Sequence, residues 1–210
     1  MNVKAAYKEW SKQYDSNRNR TRDAEALVLK ELLGDLTFKH ILEVGCGTGK
    51  NTGYLVNKTE VLTAIDLSEE MLAIAKAKIE SDKVTFVKTD ITEDWGFISQ
   101  IVDLTTFSLV LEHIENLEPV FQKVAKHSAP NAFIYIGELH PFKQYNGSKA
   151  RFETEEGTQV VSCFNHHLSD FTRAAGAAGF QLVKLTEYFD ENDRKSVPRI
   201  LGLLFQKMPC

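Results

Sequence analysis

Between residues 40 and 138, short apolar and β-branched runs alternate with stretches of helical spacing, the pattern of a parallel sheet with helices on both faces. Strands are predicted over 40–44, 60–66, 84–88, 101–108 and 132–138. Met71, Ala75 and Ile79 recur at i, i+4 and i+8, and Leu117, Val120, Phe121 and Val124 at i, i+3, i+4 and i+7, so each set forms one apolar stripe on a helix. Ser68 is placed to cap the first of these helices, with Glu69 and Glu70 in the opening turn, where acids complement the helix dipole. The last third changes character. A helix over 169–178 closes at Gly179, and 180–188 and 199–205 read as two strands. With no crossover helix between them, they are expected as an antiparallel pair at the sheet edge, for about seven strands in all. Residues 1–22, aromatic and charged, and 139–165 stand outside the alternation. A connection as long as the second usually covers a site.

At 210 residues, 43% hydrophobic and 26% charged, the chain is expected to be one soluble domain over 1–210, with an N-terminal helical cap over about 1–22 and a substrate-covering insertion over about 139–165. Lys plus Arg less Asp plus Glu is 25 − 29 = −4, which offers no basic surface for a phosphate backbone and argues against nucleic acid as partner. No apolar run is long enough to span a bilayer, and the first residues lack the apolar centre of a signal peptide, so no membrane and a cytoplasmic location are expected. Cys46, Cys163 and Cys210 show no C-x-x-C spacing, and two adjacent histidines at 166 and 167 are not a metal signature. Neither a disulfide framework nor a metal site is expected.

The run from Ile41 to Lys50, I-L-E-V-G-C-G-T-G-K, is an apolar strand delivered into three glycines at alternate positions, with Asn51 and Thr52 opening a helix. Glycine there permits a tight turn and lets a ligand approach the backbone. The nicotinamide fingerprint G-x-G-x-x-G fails because Lys50 stands at its third glycine, and a P-loop fails at Val44 and Asn51. What remains is E-x-G-x-G, with Asp66 ending the next strand 19 residues after Gly47. A carboxylate at that position can accept two hydrogen bonds from a ribose diol.

Taken together, Glu43-Val-Gly-Cys-Gly-Thr-Gly49, Asp66, Val87-Lys-Thr-Asp90 and Leu111-Glu-His-Ile114 resemble the class I S-adenosylmethionine-dependent methyltransferases, in particular the UbiE-like small-molecule branch, over roughly residues 7–186. The resemblance implies an α/β, Rossmann-like fold: a seven-stranded, mostly parallel sheet in the order 3-2-1-4-5-7-6, strand 7 antiparallel, with helices on both faces. It implies S-adenosyl-L-methionine as cofactor, S-adenosyl-L-homocysteine as product and a small-molecule acceptor. In its terms Gly45, Cys46 and Gly47 cradle the donor's methionine and ribose, Glu43 orients that loop or meets the ammonium, and Asp66 holds the ribose hydroxyls. Leu67, Asp90 and Ile91 would flank and bind the adenine, Phe107 and Leu109 line the methionine end, and Tyr14 closes over the donor.

For the acceptor, His140 stands where the fifth strand gives way to the insertion, on the side of the sheet where ligands collect, and is the leading candidate base, oriented by Glu138 if their side chains converge. Glu112-His113, in the L-E-H-I run, invites a catalytic reading, but a positional or packing role is favoured, with His113 near the acceptor. His166 and His167 either form one wall of its pocket or open the next helix. Tyr145 and Arg151 belong to the aromatic and basic insertion that suggests an aromatic, carboxylated or otherwise anionic acceptor. Tyr7, with Trp10 at i+3, either packs the N-terminal helix or reaches that acceptor. The reaction would be in-line transfer of the sulfonium methyl by a monomer or homodimer. Two readings compete with it: a non-catalytic S-adenosylmethionine-binding sensor or partner subunit, and a nicotinamide-dependent oxidoreductase, which Lys50 disfavours.

Overall fold

A computed structural model describes residues 19–149, 151–154 and 157–209. In chain order the elements are α1 (Arg20–Leu33), β1 (Phe38–Val44), α2 (Thr52–Leu55), β2 (Thr59–Asp66), α3 (Glu69–Lys78), β3 (Val84–Lys88), β4 (Val102–Ser108), α4 (Leu117–His127), β5 (Ser128–Leu139), α5 (Pro141–Tyr145), β6 (Arg151–Thr154), β7 (Gly157–Val160), α6 (Leu168–Ala177), β8 (Phe180–Tyr188) and β9 (Ile200–Lys207). The main sheet runs β3-β2-β1-β4-β5-β9-β8, which is the order 3-2-1-4-5-7-6 that the family resemblance implies. β1 to β5 pair in parallel, and β9 inserts antiparallel to both β5 and β8. β6 and β7 form a separate antiparallel hairpin within the insertion, an element that the polar spacing of 151–160 does not announce.

Strand alternation sorts the core into two layers. On β1, β5 and β9, Ile41, Tyr135 and Leu204 face α1, while Leu42, Val44, Ile134, Ile136, Leu203 and Phe205 face α4 and α6. α1 itself is absent from the sequence prediction, although Ala24, Val28, Leu29, Leu32 and Leu33 form its buried stripe. What obscures that stripe is Glu25, an acid on the buried face. Asn19 caps α1 by accepting the Thr21 and Arg22 N–H groups at 3.0 and 3.1 Å, so this helix starts within the segment expected as a cap over about 1–22. Leu29 and Leu33 are fully buried against the sheet. Truncating either to Ala costs about 2–5 kcal/mol.

The parallel arrangement directs the C-terminal ends of β1, β2, β3 and β4 to one edge. Ser68 caps α3 as expected, accepting the Met71 N–H at 3.3 Å, and this starts the helix just past the end of β2. No helix among the described residues is long and apolar enough to cross a membrane.

Candidate active site

β1 ends in a loop whose three glycines all take positive φ: 71° at Gly45, 54° at Gly47 and 82° at Gly49. The Gly45 and Cys46 N–H groups donate to the Ile65 carbonyl at 2.8 and 3.0 Å, tying the loop to the end of β2. A Cβ on Gly45 would stand 2.1 Å from Val110 Cγ2, so only glycine fits. A Cβ on Gly47 would meet nothing within 4 Å, because that side of the loop opens on a cavity. The cavity, about 270 Å³, lies over the strand ends and is lined by Gly45, Gly47, Asp66, Leu67, Asp90, Ile91, Thr92, Leu109, Val110 and His113, among others.

Asp66 is locked in place. Its Oδ2 accepts the Gly47 N–H at 2.9 Å and its Oδ1 the Ser68 N–H at 2.8 Å. Burial holds its carboxyl above the ordinary range, and those amides draw it part of the way back. A carboxylate oxygen has two acceptor sites, so each keeps capacity for a second donor. Asp90 makes a local turn, its Oδ1 accepting both N–H and Oγ1–H of Thr92 at 2.8 and 2.7 Å, and it also lines the cavity. Leu67 and Ile91 supply apolar walls.

A smaller pocket of about 50 Å³ shares Gly45, Gly47, Ser108 and Leu109 with the larger one and adds Arg22, Glu25, Glu43 and Asn51. Glu43 Oε2 accepts the Thr52 hydroxyl at 2.6 Å. Burial, with Glu25 and Asp66 nearby, pushes the Glu43 carboxyl up to about 8. Glu25 accepts Asn51 Nδ2–H at 2.8 Å and the Tyr135 hydroxyl at 2.9 Å, and burial holds it above its usual range too. Arg22, Glu25 and Asn51 belong to the site and are missed by sequence reasoning. The one available signal is an acid standing in the apolar stripe of α1.

Several expectations are corrected here. Phe107 does not line the cavity: strand alternation turns it into the core, stacked on Phe121 with centroids 6.0 Å apart, and Ser108 and Leu109 reach the cavity instead. Leu109 does so at φ 56°, an uncommon conformation for a branched side chain, with its N–H donating to Gly137 O at 2.8 Å. Cys46 offers backbone only, since its thiol is buried beside Ala64 and Leu72. Glu138 and His140 do not converge. Glu138 Oε1 accepts the Val110 and Leu111 N–H groups at 2.9 and 2.8 Å. His140 caps α5, its Nδ1 accepting the Phe142 N–H at 3.2 Å, which puts the ring proton on Nε2, facing Glu187 at 3.1 Å. Both ring nitrogens are thereby engaged, and His140 does not line the cavity.

His113 does line it. Its Nδ1 lies 3.0 Å from the Ser162 carbonyl, which can only accept, so Nδ1 carries the proton and the basic lone pair of the neutral ring sits on Nε2. His166 donates from Nε2 to Ile114 O at 2.7 Å and packs against Phe171, away from the cavity. His167 precedes α6, its N–H held by Asp170 at 2.8 Å, and its ring meets the half-exposed Tyr145 rather than the cavity. Arg151 pairs with Val160 in the β6–β7 hairpin. Tyr7 and Tyr14 lie outside the described residues.

Residues 42–136, from the middle of β1 to the middle of β5, match the family described as a methyltransferase domain. That segment resembles a methyltransferase domain. Among proteins similar to it, the malonyl-[acyl-carrier protein] O-methyltransferase of Priestia megaterium (strain DSM 319 / IMG 1521) is 32% identical over 135 residues, 59% of this chain and 48% of that one. A relative from Geobacillus sp. (strain WCH70) is 41% identical over 99 residues, 44% of this chain and 40% of its own. The chain therefore spans less than half the length of these two curated relatives. The methyltransferase fold extends beyond the matched segment: the DhpI–S-adenosylhomocysteine complex superposes with a TM-score of 0.75 at 22% identity, over 98% of this chain and 95% of that one.

Proposed function

We propose that the protein transfers the methyl group of S-adenosylmethionine to a small-molecule acceptor and releases S-adenosylhomocysteine. The observation that carries this reading is the Gly47–Asp66 pair. An open glycine and a carboxylate pinned by two amides face one cavity at the strand ends, beside the apolar walls of Leu67 and Ile91. That combination suits a nucleoside, and the adjoining small pocket, with Arg22 beside Glu25 and Glu43, suits a zwitterionic amino-acid end. When bound, S-adenosylmethionine supplies a methyl group on a sulfonium, an electrophile already activated.

What the chain itself does is hold, align and take a proton. Asp66 holds the ribose hydroxyls and Leu67, Asp90 and Ile91 the base. Arg22 meets the carboxylate of the amino-acid end, and Glu43, whose carboxyl burial holds up at about 8, ionises beside Glu25 as the ammonium group arrives to pair with it. Ordering the donor in this way converts encounter into a near-unimolecular event, which can supply several kcal/mol of barrier lowering. His113, its Nδ1–H fixed by Ser162, turns Nε2 into the basic atom and takes the acceptor's proton. O-methyltransferases among the relatives fit an acceptor whose hydroxyl or carboxyl loses a proton. The aromatic and basic residues of the insertion, Phe142, Tyr145 and Arg151, keep an aromatic or anionic acceptor as the first class to assay.

The test is label transfer from methyl-labelled donor into a panel of aromatic acids, phenols and acyl carboxylates, alongside calorimetry with S-adenosylhomocysteine. His113→Gln is expected to lower kcat by about 10²–10⁴ while leaving donor affinity unchanged. Tight donor binding without transfer to any acceptor class would support the sensor reading instead.

A further inference from the structure

We propose that Lys123 is a positioning residue for the base of the donor: by gathering three backbone carbonyls after β3 it fixes the carboxylate of Asp90, and with it the preference for an amino-bearing purine. The inference deepens the methyl-donor reading and rests on it.

The connection from β3 to β4 spans residues 89–101, and Thr89, Asp90, Ile91 and Thr92 line the cavity. It contains neither helix nor strand, so its backbone groups must find their partners elsewhere. Its apolar side chains are sunk in the core: Ile91 is 8% exposed and Trp95 2%, in the layer that holds Val120, Phe121 and Val124 of α4. Lys123 stands directly beside that buried stripe. Its ammonium donates to the carbonyls of Ile91, Thr92 and Glu93 at 3.0, 2.7 and 2.6 Å. An ammonium has three N–H groups, so donors and acceptors match one to one. Three successive carbonyls turned on one point repel each other unless a cation stands there. Trp95 Nε1–H gives the Ile91 carbonyl a second bond at 3.1 Å.

The other ends of the same peptide groups reach Asp90. The Ile91 carbonyl and the Thr92 N–H belong to one peptide plane, and the Thr92 carbonyl and the Glu93 N–H to the next. Lys123 holds both oxygens. Of the two N–H groups, that of Thr92 donates to Asp90 Oδ1 at 2.8 Å and that of Glu93 to the Asp90 carbonyl at 3.1 Å. A trans peptide is rigid, so fixing its oxygen fixes where its N–H points. The Thr92 hydroxyl adds a bond to Asp90 Oδ1 at 2.7 Å. Both acceptor sites of Oδ1 are thus taken, and Oδ2 is the oxygen left for a ligand. A carboxylate oxygen accepts from the 6-amino group of adenine, whereas a 6-oxo group would meet it lone pair to lone pair. Placing Oδ2 therefore discriminates between the two purines. Without the Lys123 ammonium the two peptide planes are free to turn, and Asp90 loses the donors that aim it.

The test compares S-adenosylhomocysteine with S-inosylhomocysteine, which carries the 6-oxo group, by calorimetry on wild type, Lys123→Met and Lys126→Met. Methionine keeps an unbranched arm and removes the charge, and Lys126, exposed on the same helix, controls for charge alone. Wild type should prefer the adenosyl compound by about tenfold or more. Lys123→Met should bind it about tenfold to a hundredfold more weakly and the inosyl compound about equally well, so that the preference collapses, while Lys126→Met should match wild type. A Lys123→Met protein that keeps the wild-type preference would overturn the proposal even if both affinities fall together, since equal losses are what a loosened fold gives. The same collapse in Lys126→Met also overturns it. A second readout needs no ligand: hydrogen exchange at the Thr92 and Glu93 amides should quicken by about tenfold in Lys123→Met, and unchanged exchange defeats the proposal. Equal binding of the two compounds by wild type defeats it too and leaves the donor reading standing. Wild type that binds neither compound overturns the donor reading and this role with it, and the exchange rates then show by themselves whether Lys123 orders the segment.

Discussion

The two ends of the cavity are built by different means. At the nucleoside side of the donor end the contacts that the loop and the two acids make are short in sequence or cross adjacent strands: Gly45 and Cys46 to Ile65, Gly47 to Asp66, Asp66 to Ser68, Asp90 to Thr92. Backbone amides do most of the work, and parallel strand pairing fixes where they point. At the acceptor end the contacts leap: Val110 to Glu138, Glu112 to Phe164, His113 to Ser162. Side chains and a single short turn hold the geometry. The donor end is thus tied to the sheet and cannot change without it, whereas the acceptor end can be rebuilt by altering an insertion, which is how one scaffold comes to host many reactions.

The sharpest way to break this contrast is at the glycine loop. Gly45→Ala places a methyl 2.1 Å from Val110 Cγ2 at a φ of 71°, so the loop and the Val110 turn must both shift. Overpacking and backbone strain together should cost about 2–5 kcal/mol, read as a depressed Tm and a loss of S-adenosylhomocysteine binding beyond the reach of calorimetry. Asp66→Asn is gentler: its amide nitrogen cannot accept the Gly47 N–H, and donor affinity should fall by about tenfold to a hundredfold with the fold intact. Wild-type affinity in Asp66→Asn would mean that the donor end is not where the strand ends place it.

The next effect concerns charge. Glu43 has a folded pKa of about 8, above its ordinary 4.5, so its contribution to stability is fully present below 4.5 and is lost as pH rises through 8. Within that window each pH unit costs up to about 1.4 kcal/mol. Glu43→Gln keeps an acceptor for Thr52 and does not titrate, so its Tm relative to wild type should climb steadily from acid to neutral to mildly alkaline buffer. Parallel Tm profiles for the two proteins would show that Glu43 ionises at no cost, and that the donor end is less buried and more polar than its geometry indicates.

These differences in construction also decide what could be read from the residues. Gly45, Gly47 and Asp66 were recognisable because each stands at the end of a strand that the apolar pattern reveals, Leu67, Asp90 and Ile91 came from the family resemblance, and all of them line the cavity. The apolar pattern yielded the parallel strands and the antiparallel edge pair, while the sheet order came from the family resemblance. Phe107 went astray because strand alternation gives two faces without saying which one the ligand shares. Glu25 was invisible because a buried acid breaks the very periodicity that marks a helix, and its partners Asn51 and Tyr135 lie 26 and 110 residues away. Glu138 was read as the partner of its sequence neighbour His140, since nothing local tells that its carboxyl crosses to Val110 and Leu111.

The smallest expected effect separates the two histidines. His140 stands at the mouth of the insertion, yet its Nδ1 is occupied by the Phe142 N–H, its Nε2–H points to Glu187, and its ring lies 4.9 Å from that of Phe142. Burial lowers its pKa while Glu187 works the other way, so the ring serves α5 as a neutral cap. Replacing it by Ala should cost about 1 kcal/mol of capping energy, a fall of about 2–4 °C in Tm for a chain of this size. Because neither nitrogen offers a lone pair to the cavity, kcat should stay within about twofold, the margin of changes away from a site. A tenfold loss of kcat in His140→Ala with donor affinity intact would instead place the acceptor under the insertion, and His113 would then be a wall of the cavity rather than its base.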